Sequence, residues 1–139
     1  MKNFIKLLMI ISVMVFTGIN NANAQDNIYI HWDASCPDTC TSQQVCGYFV
    51  EATVINYCVH PPEVQCYDSK WISCSELGTY LSCDCEDVTS NPCYYIRANV
   101  TKFCSWPGNQ IVKCTGSGST YKSCPELMAG VDIPIEWDE

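Results

Sequence analysis

The sequence predicts an all-β, disulfide-rich fold of two pseudo-symmetric halves from an internal duplication, each with one long strand and a single helical turn. Three observations lead to this prediction. Cysteine accounts for 12 of the 139 residues. An alternating apolar stretch bounded by cysteines occurs twice, as CGYFVEATVINYC (Cys46–Cys58) and CYYIRANVTKFC (Cys93–Cys104). A polar loop precedes each copy and a proline-containing loop follows it.

The N-terminus has the pattern of a secretory signal peptide, which we place at residues 1–24. Two lysines flank the start of an apolar run at residues 7–16, and an Ala-Asn-Ala motif ends at Ala24. A membrane anchor is the alternative, but this run is shorter than the roughly 20 apolar residues that cross a bilayer. We therefore expect residues 25–139 to form a single disulfide-rich β domain, secreted to the exterior or periplasm, without membrane insertion after cleavage.

The chain is acidic, with a formal net charge of −8, and cleavage at Ala24 would remove two lysines. Binding to nucleic acid needs clustered Lys and Arg residues. We therefore expect no nucleic-acid partner, and an anionic membrane surface is disfavoured for the same reason.

All cysteines lie in the mature chain, and their number is even. In a short exported chain this predicts disulfides rather than a zinc ribbon, because paired C-x-x-C knuckles are lacking and the oxidising compartment favours disulfides. The expected disulfide cysteines are Cys36, Cys40, Cys46, Cys58, Cys66, Cys74, Cys83, Cys85, Cys93, Cys104, Cys114 and Cys124.

Both ends of the mature chain predict strands. Residues 27–33, NIYIHWD, alternate with the period of a half-buried strand. The same I-x-I-x-W-D pattern predicts a terminal strand within residues 131–138. Pro134 has no backbone N–H, so that strand should lie at a sheet edge or leave this position unpaired.

The repeated stretch is the predicted centre of the fold, since β-branched and aromatic residues dominate it. We assign to the core the alternate positions Tyr48, Val50, Ala52 and Val54 of the first copy and Tyr94, Ile96, Ala98 and Val100 of the second. The opposite face is more polar, and we assign it to the outside or to a cross-strand contact.

Each copy belongs to a longer repeat, at about residues 34–78 and 81–130, with six cysteines that match in order. Ser and Glu stand at capping-box spacing near the end of each repeat. This spacing predicts a single helical turn at Ser73–Leu77 and at Ser123–Leu127.

Strand geometry excludes two disulfides and leaves the others open. A strand from Cys46 to Cys58 is roughly 40 Å long at about 3.3 Å per residue, whereas a disulfide needs Cα atoms within about 7 Å. Cys46 should therefore not pair with Cys58, nor Cys93 with Cys104. We expect the bonds to repeat between halves, with Cys58 or Cys104 joined to a cysteine beyond the following loop or in the opening loop.

Residues with catalytic potential are few. The histidines are His31 and His60, and neither a G-x-S-x-G nor an H-E-x-x-H motif occurs. We expect no enzymatic activity, no cofactor and no metal site. The one weak calcium candidate is an oxygen-rich loop with Asp84, Glu86 and Asp87, for which a solvated turn is the simpler interpretation.

The segment from Cys58 to Cys66 holds adjacent prolines within nine residues. In size it resembles the reactive loop of Bowman–Birk-type serine protease inhibitors, which also carries Pro-Pro inside a nine-residue cysteine loop. The resemblance covers these residues alone, and the Thr and Ser of that family's motif are missing. It implies a small secreted protease inhibitor that acts through the proline-containing loops 59–65 and 105–113; plain turns between strands are the alternative interpretation.

Aromatic and loop residues outside the repeated strands are the candidates for binding, because exposed Trp and Tyr side chains stack on sugars or anchor protein interfaces. The candidate binding residues are Trp106, Pro107, His60, Pro61, Pro62, Trp71 and Tyr121. The sequence thus predicts a secreted, non-enzymatic binding module that recognises an extracellular glycan or protein. The alternatives are the protease inhibitor and a structural component of a surface layer or appendage, built by pairing of terminal strands.

Overall fold

The protein is described by a computed structural model that covers residues 27–33, 35–83, 85 and 90–138. The predicted signal peptide at residues 1–24 lies outside the described residues. Within the described ranges, no helix is long and apolar enough to cross a membrane.

Most of the described chain is β-strand. The strands are β1 (Ile28–His31), β2 (Val45–Asn56), β3 (Glu63–Ser73), β4 (Gly78–Leu81), β5 (Tyr94–Trp106), β6 (Asn109–Lys122), β7 (Val131–Asp132) and β8 (Glu136–Trp137). A short helix, α1 (Cys124–Ala129), lies between β6 and β7.

The strands form two sheets. The larger sheet has five strands in the order β3-β2-β5-β6-β8, and all neighbouring pairs are antiparallel. The smaller has three strands in the order β4-β1-β7, with β1 antiparallel to β4 and parallel to β7. The two similar cysteine-bounded stretches of the sequence form most of β2 and β5, which pair at the centre of the larger sheet.

One hydrophobic core contains residues of both sheets. The eight predicted core positions of β2 and β5 are each 2% exposed or less. They share this core with Ile28 and Ile30 of β1, with Leu127 of α1 and with Ile133 near the C-terminus. The alternating pattern identified this face because successive side chains of a strand point to opposite sides of the sheet.

All twelve cysteines are among the described residues, and none is free. The disulfides are Cys36–Cys114, Cys40–Cys104, Cys46–Cys74, Cys58–Cys93, Cys66–Cys83 and Cys85–Cys124. The disulfide prediction is confirmed, as is the exclusion of the two within-strand bonds. Cys36–Cys114 and Cys66–Cys83 each join the first cysteine of one predicted repeat to the fifth cysteine of the other. The other four bonds do not repeat between the halves as expected.

The sequence pattern did not predict β3 and β6, the two strands that flank the central pair. β6 is rich in Gly, Ser and Thr, so it lacks the apolar alternation by which strands are recognised. β3 lies at the edge of its sheet and is largely exposed. Each half of the chain therefore contains more strand than the single long one expected.

The two predicted helical turns differ. Ser123 precedes α1, and its backbone N–H and hydroxyl donate to Glu126 Oε2 at 2.8 and 2.7 Å, so this prediction is confirmed. The turn expected at Ser73–Leu77 is not helical, although the Glu76 N–H donates to the Ser73 carbonyl at 3.0 Å. β3 ends at Ser73 and β4 begins at Gly78, so too few residues remain between the two strands for a helix.

The C-terminal segment packs closely on β6 because two positions there are glycine. A Cβ atom on Gly118 would lie 2.2 Å from the carbonyl oxygen of Pro134, and one on Gly116 would lie 2.7 Å from the side chain of Ile135. β8 then pairs with β6 at the sheet edge. Pro134 lies between β7 and β8, outside both strands, as its missing N–H predicted.

Candidate binding face

The face of the larger sheet that points away from the core carries aromatic side chains at both ends; we call it the outer face. Its residues alternate along β2 and β5 with the buried positions. Two groups of three rings stand on it. The Trp trio consists of Phe49, Trp71 and Phe103, and the Tyr trio consists of Tyr57, Tyr95 and Tyr121.

The Trp trio is built by three neighbouring strands. Trp71 of β3 lies opposite Phe49 of β2, with ring centroids 4.9 Å apart. Its ring also contacts Phe103 of β5 at 5.0 Å. Trp71 remains 57% exposed. Such tilted ring contacts hold an exposed indole in a defined orientation, which reduces the entropy lost when a ligand binds to it.

The Tyr trio stands at the other end of the same face. Tyr95 of β5 lies opposite Tyr121 of β6, and their ring centroids are 5.0 Å apart. Tyr57 follows β2, and its ring centroid lies 6.4 Å from that of Tyr95 and 6.1 Å from that of Tyr121. Tyr121 is 54% exposed. Each ring also brings a hydroxyl group, so this trio offers hydrogen bonds as well as apolar surface.

Polar side chains occupy the outer face between the trios. Glu51 and Thr53 of β2 stand beside Arg97 and Asn99 of β5. The Tyr67 hydroxyl donates to Glu51 Oε1 at 2.6 Å, and this hydrogen bond raises the pKa of Tyr67. The band thus presents both donors and acceptors on a rigid strand backbone.

A shallow trough adjoins the Tyr trio, at the edge where β6 meets β8. Its volume is about 340 Å³, and its lining includes Tyr95, Arg97, Ser119 and Glu136. The guanidinium group provides donors, the carboxylate provides acceptors, and hydroxyl groups provide both. The trough can therefore hold a small polyhydroxylated group beside an aromatic ring.

The trios are too far apart for a single small molecule to contact both. Tyr95 lies opposite Ile55, which is six residues along β2 from Phe49. At about 3.3 Å per residue this separation is roughly 20 Å. A ligand that engages both ends of the outer face must be extended.

The predicted binding residues fall into three places: the outer face, the end of β5 with the turn after it, and the loop before β3. Trp71 and Tyr121 lie on the outer face, at opposite ends. Trp106 is 39% exposed at the end of β5 and lines a separate groove of about 400 Å³ with Thr41, Gln43 and Gln44. Trp106 is an odd number of positions from Phe103 in β5, so it points to the other side of the sheet.

The proline-containing loops are shorter than the sequence suggested and lie at opposite ends of the larger sheet. β3 begins at Glu63, so the exposed loop with His60, Pro61 and Pro62 ends before residue 63. Most of residues 105–113 is strand, and Pro107 and Gly108 alone form the turn between β5 and β6. Gly108 has a φ of 82°, the left-handed value that the third position of a type II turn requires and that glycine adopts without strain.

The Cys58 to Cys66 segment is not closed by a disulfide of its own. Cys58 is bonded to Cys93 and Cys66 to Cys83. The segment therefore differs in covalent structure from the inhibitor loop that it resembles in size. The calcium candidates Asp84, Glu86 and Asp87 lie outside the described residues.

Four members of the trios were missed as candidate binding residues: Phe49, Phe103, Tyr57 and Tyr95. A signal was available, because these aromatic side chains occupy matched outward positions in the two copies, Phe49 with Tyr95 and Tyr57 with Phe103. Their grouping with Trp71 and Tyr121 depends on the pairing of β3 and β6 with the central strands. That pairing was not predicted.

The chain matches no protein-family model, no curated protein and no solved structure. Its function must therefore be argued from the outer face itself.

Proposed function

We propose that this protein is a secreted, non-enzymatic module that binds an extended, neutral extracellular glycan on the outer face. The observation that carries the proposal is the placement of two exposed aromatic trios at the ends of one polar band. The flat apolar side of a pyranose ring packs on the face of an aromatic ring, while its hydroxyl groups need donors and acceptors nearby.

The polarity of the face favours a glycan over a protein. Charge-depleted apolar centres surrounded by polar rims are typical of protein interfaces. The centre of the outer face instead carries the charged and amide side chains of Glu51, Arg97 and Asn99. The exposed ring of Tyr67 borders this centre on β3, and the two trios lie at the ends. A net charge of −8 for the full sequence disfavours an anionic glycan.

The disulfides support an exported protein. Six disulfides in a small chain indicate an oxidising compartment. Together with the predicted signal peptide, they support an extracellular or periplasmic location, where a secreted module would meet extracellular glycans.

An internal duplication would explain why the face has two similar ends. The strand order places β3 beside β2 and β6 beside β5, so the two halves of the sheet correspond about the central pair. Trp71 lies opposite Phe49 just as Tyr121 lies opposite Tyr95. We include the duplication in the proposal, as the origin of two equivalent subsites.

Co-sedimentation with insoluble neutral polysaccharides, followed by a glycan array, tests this function. We expect the wild-type protein to bind a neutral polysaccharide and Trp71→Ala to lose most of that binding. Trp106→Ala is the matched control, because it removes an exposed indole from the opposite side of the sheet. No binding to any neutral glycan, or equal loss in the two variants, would refute the proposal. Capture of a protein by the outer face, with no glycan bound, would identify the outer face as a protein interface instead.

A further inference from the structure

Three metal-ligating side chains meet on the smaller sheet, away from the outer face. They are His31 at the end of β1, Asp33 two residues later and Asp132 in β7. One potential ligand atom from each lies within 4.8 Å of the other two. None of these residues takes part in the proposed glycan site.

The backbone brings the three side chains together. His31 and Asp132 are partners in the parallel pairing of β1 with β7, and the Ile133 N–H donates to the His31 carbonyl at 2.8 Å. Trp32, which separates the two N-terminal ligands, is 2% exposed, and its backbone N–H donates to the Leu77 carbonyl at 3.0 Å. A metal site needs ligands on such rigid elements.

The spacing of the ligand atoms suits one ion. His31 Nδ1 and Asp132 Oδ1 are 3.5 Å apart. Two ligand atoms of a tetrahedral Zn²⁺ site lie about 3.3–3.6 Å apart, given metal–ligand distances of about 2.0–2.2 Å. These two side chains would need little movement to coordinate an ion, and rotation of the Asp33 side chain would complete the set.

The charges of the cluster also favour a cation. Two carboxylates face each other here, and no Lys or Arg of the described residues forms an ion pair with either of them. A divalent ion would neutralise both carboxylates while the imidazole acts as a neutral ligand.

We infer that His31, Asp33 and Asp132 form a site for a divalent transition-metal ion, with Zn²⁺ as the best fit. An imidazole ligand selects against Ca²⁺ and Mg²⁺, which prefer oxygen ligands, and favours Zn²⁺ and its neighbours. Three protein ligands leave at least one position of a tetrahedral ion for water or for a group from another molecule. The ion would link the N-terminal strand to the C-terminal segment.

Calorimetric titration with ZnCl₂, with CaCl₂ as a comparison, tests the site on the mature disulfide-bonded protein. We expect one Zn²⁺ per chain, no comparable Ca²⁺ binding and at least about tenfold weaker Zn²⁺ binding in His31→Ala. His60→Ala is the matched control, because His60 is exposed in a distant loop, and it should bind Zn²⁺ as the wild type does. Asp132→Asn should also weaken binding, and Zn²⁺ should raise the Tm of the wild type but not of this variant.

Imidazole nitrogen resonances identify the ligand directly and do not depend on any variant. Zn²⁺ should shift the ring nitrogens of His31 and leave those of His60 unchanged. Shifts at His60 alone, no shift at His31, or equal weakening of Zn²⁺ binding in the two histidine variants would overturn the inference.

Discussion

Ala52 and Ala98 lie directly opposite each other in the antiparallel ladder of β2 and β5. The same two alanines are matched positions of the repeated stretch. A local two-fold axis relating β2 to β5 would pass between them, because Ala52 and Ala98 are the matched positions of the two similar stretches that pair with each other. Both side chains are at most 1% exposed, and their small size allows the other core layers to pack over the centre of the sheet.

The first prediction concerns the covalent framework. Non-reducing peptide mapping should recover Cys40–Cys104 and Cys46–Cys74 from one end of the central strand pair, and Cys58–Cys93 and Cys85–Cys124 from the other. A peptide linking Cys46 to Cys58 would contradict β2 itself, because the two residues are at opposite ends of an extended segment.

A second prediction concerns the glycines of β6. Gly118→Ala should lower the free energy of unfolding by about 1–3 kcal/mol, because the added Cβ would meet the backbone of Pro134, which cannot move away as a side chain could. Urea denaturation with the disulfides intact measures this change. Ser117→Ala is the control, because its exposed side chain lies on the outer face, and it should change stability by less than about 0.5 kcal/mol. Equal stability of the two variants would show that the C-terminal segment does not pack on β6.

A third prediction concerns stability in acid. Burial tends to raise the pKa of Asp68, but hydrogen bonds from the N–H groups of Ser82 and Ser69, with Lys70 nearby, outweigh it and lower the pKa. Hydrogen bonds from Ser123 similarly lower the pKa of Glu126. A carboxylate with a lower pKa in the folded state stabilises the fold above its unfolded pKa, and this contribution is lost as the pH falls through the folded value.

The stability of the wild type should therefore decline below about pH 5, where unfolded carboxylates begin to take up protons. Urea midpoints measured across this range should show a smaller decline for Asp68→Asn and a still smaller one for the double variant with Glu126→Gln. An unchanged slope in the double variant would rule out these two carboxylates as a source of the acid sensitivity.

The sequence predicted the centre of the fold because the alternation in β2 and β5 is uninterrupted. Tyr48 and Tyr94 begin core faces whose every second residue is apolar, and a half-buried strand produces that pattern. The pattern fails for β6, where Gly116 and Gly118 allow the C-terminal segment to approach the backbone closely and bury no side chain of their own. It fails for β3 because an edge strand buries too little surface to require a full apolar face.

The candidate site was predicted in part for the same reason. Trp71 and Tyr121 were recognised as exposed aromatic residues, but their ring partners come from neighbouring strands whose register is a tertiary property. The cluster of His31 with Asp132 could not be predicted from the sequence, because it depends on the parallel pairing of β1 with β7. Sequence spacing carries no information about such a contact.

The central claim is that one extended glycan contacts both trios, and the dependence of affinity on chain length tests it most directly. Oligosaccharides of increasing length from a polysaccharide that binds should be titrated into the wild type, Trp71→Ala and Tyr121→Ala. We expect wild-type affinity to rise until the ligand spans roughly 20 Å, the distance between the trios. Either variant should lose about tenfold or more for long ligands, or about 1.4 kcal/mol. Affinity independent of length, or wild-type affinity in both variants, would contradict the account.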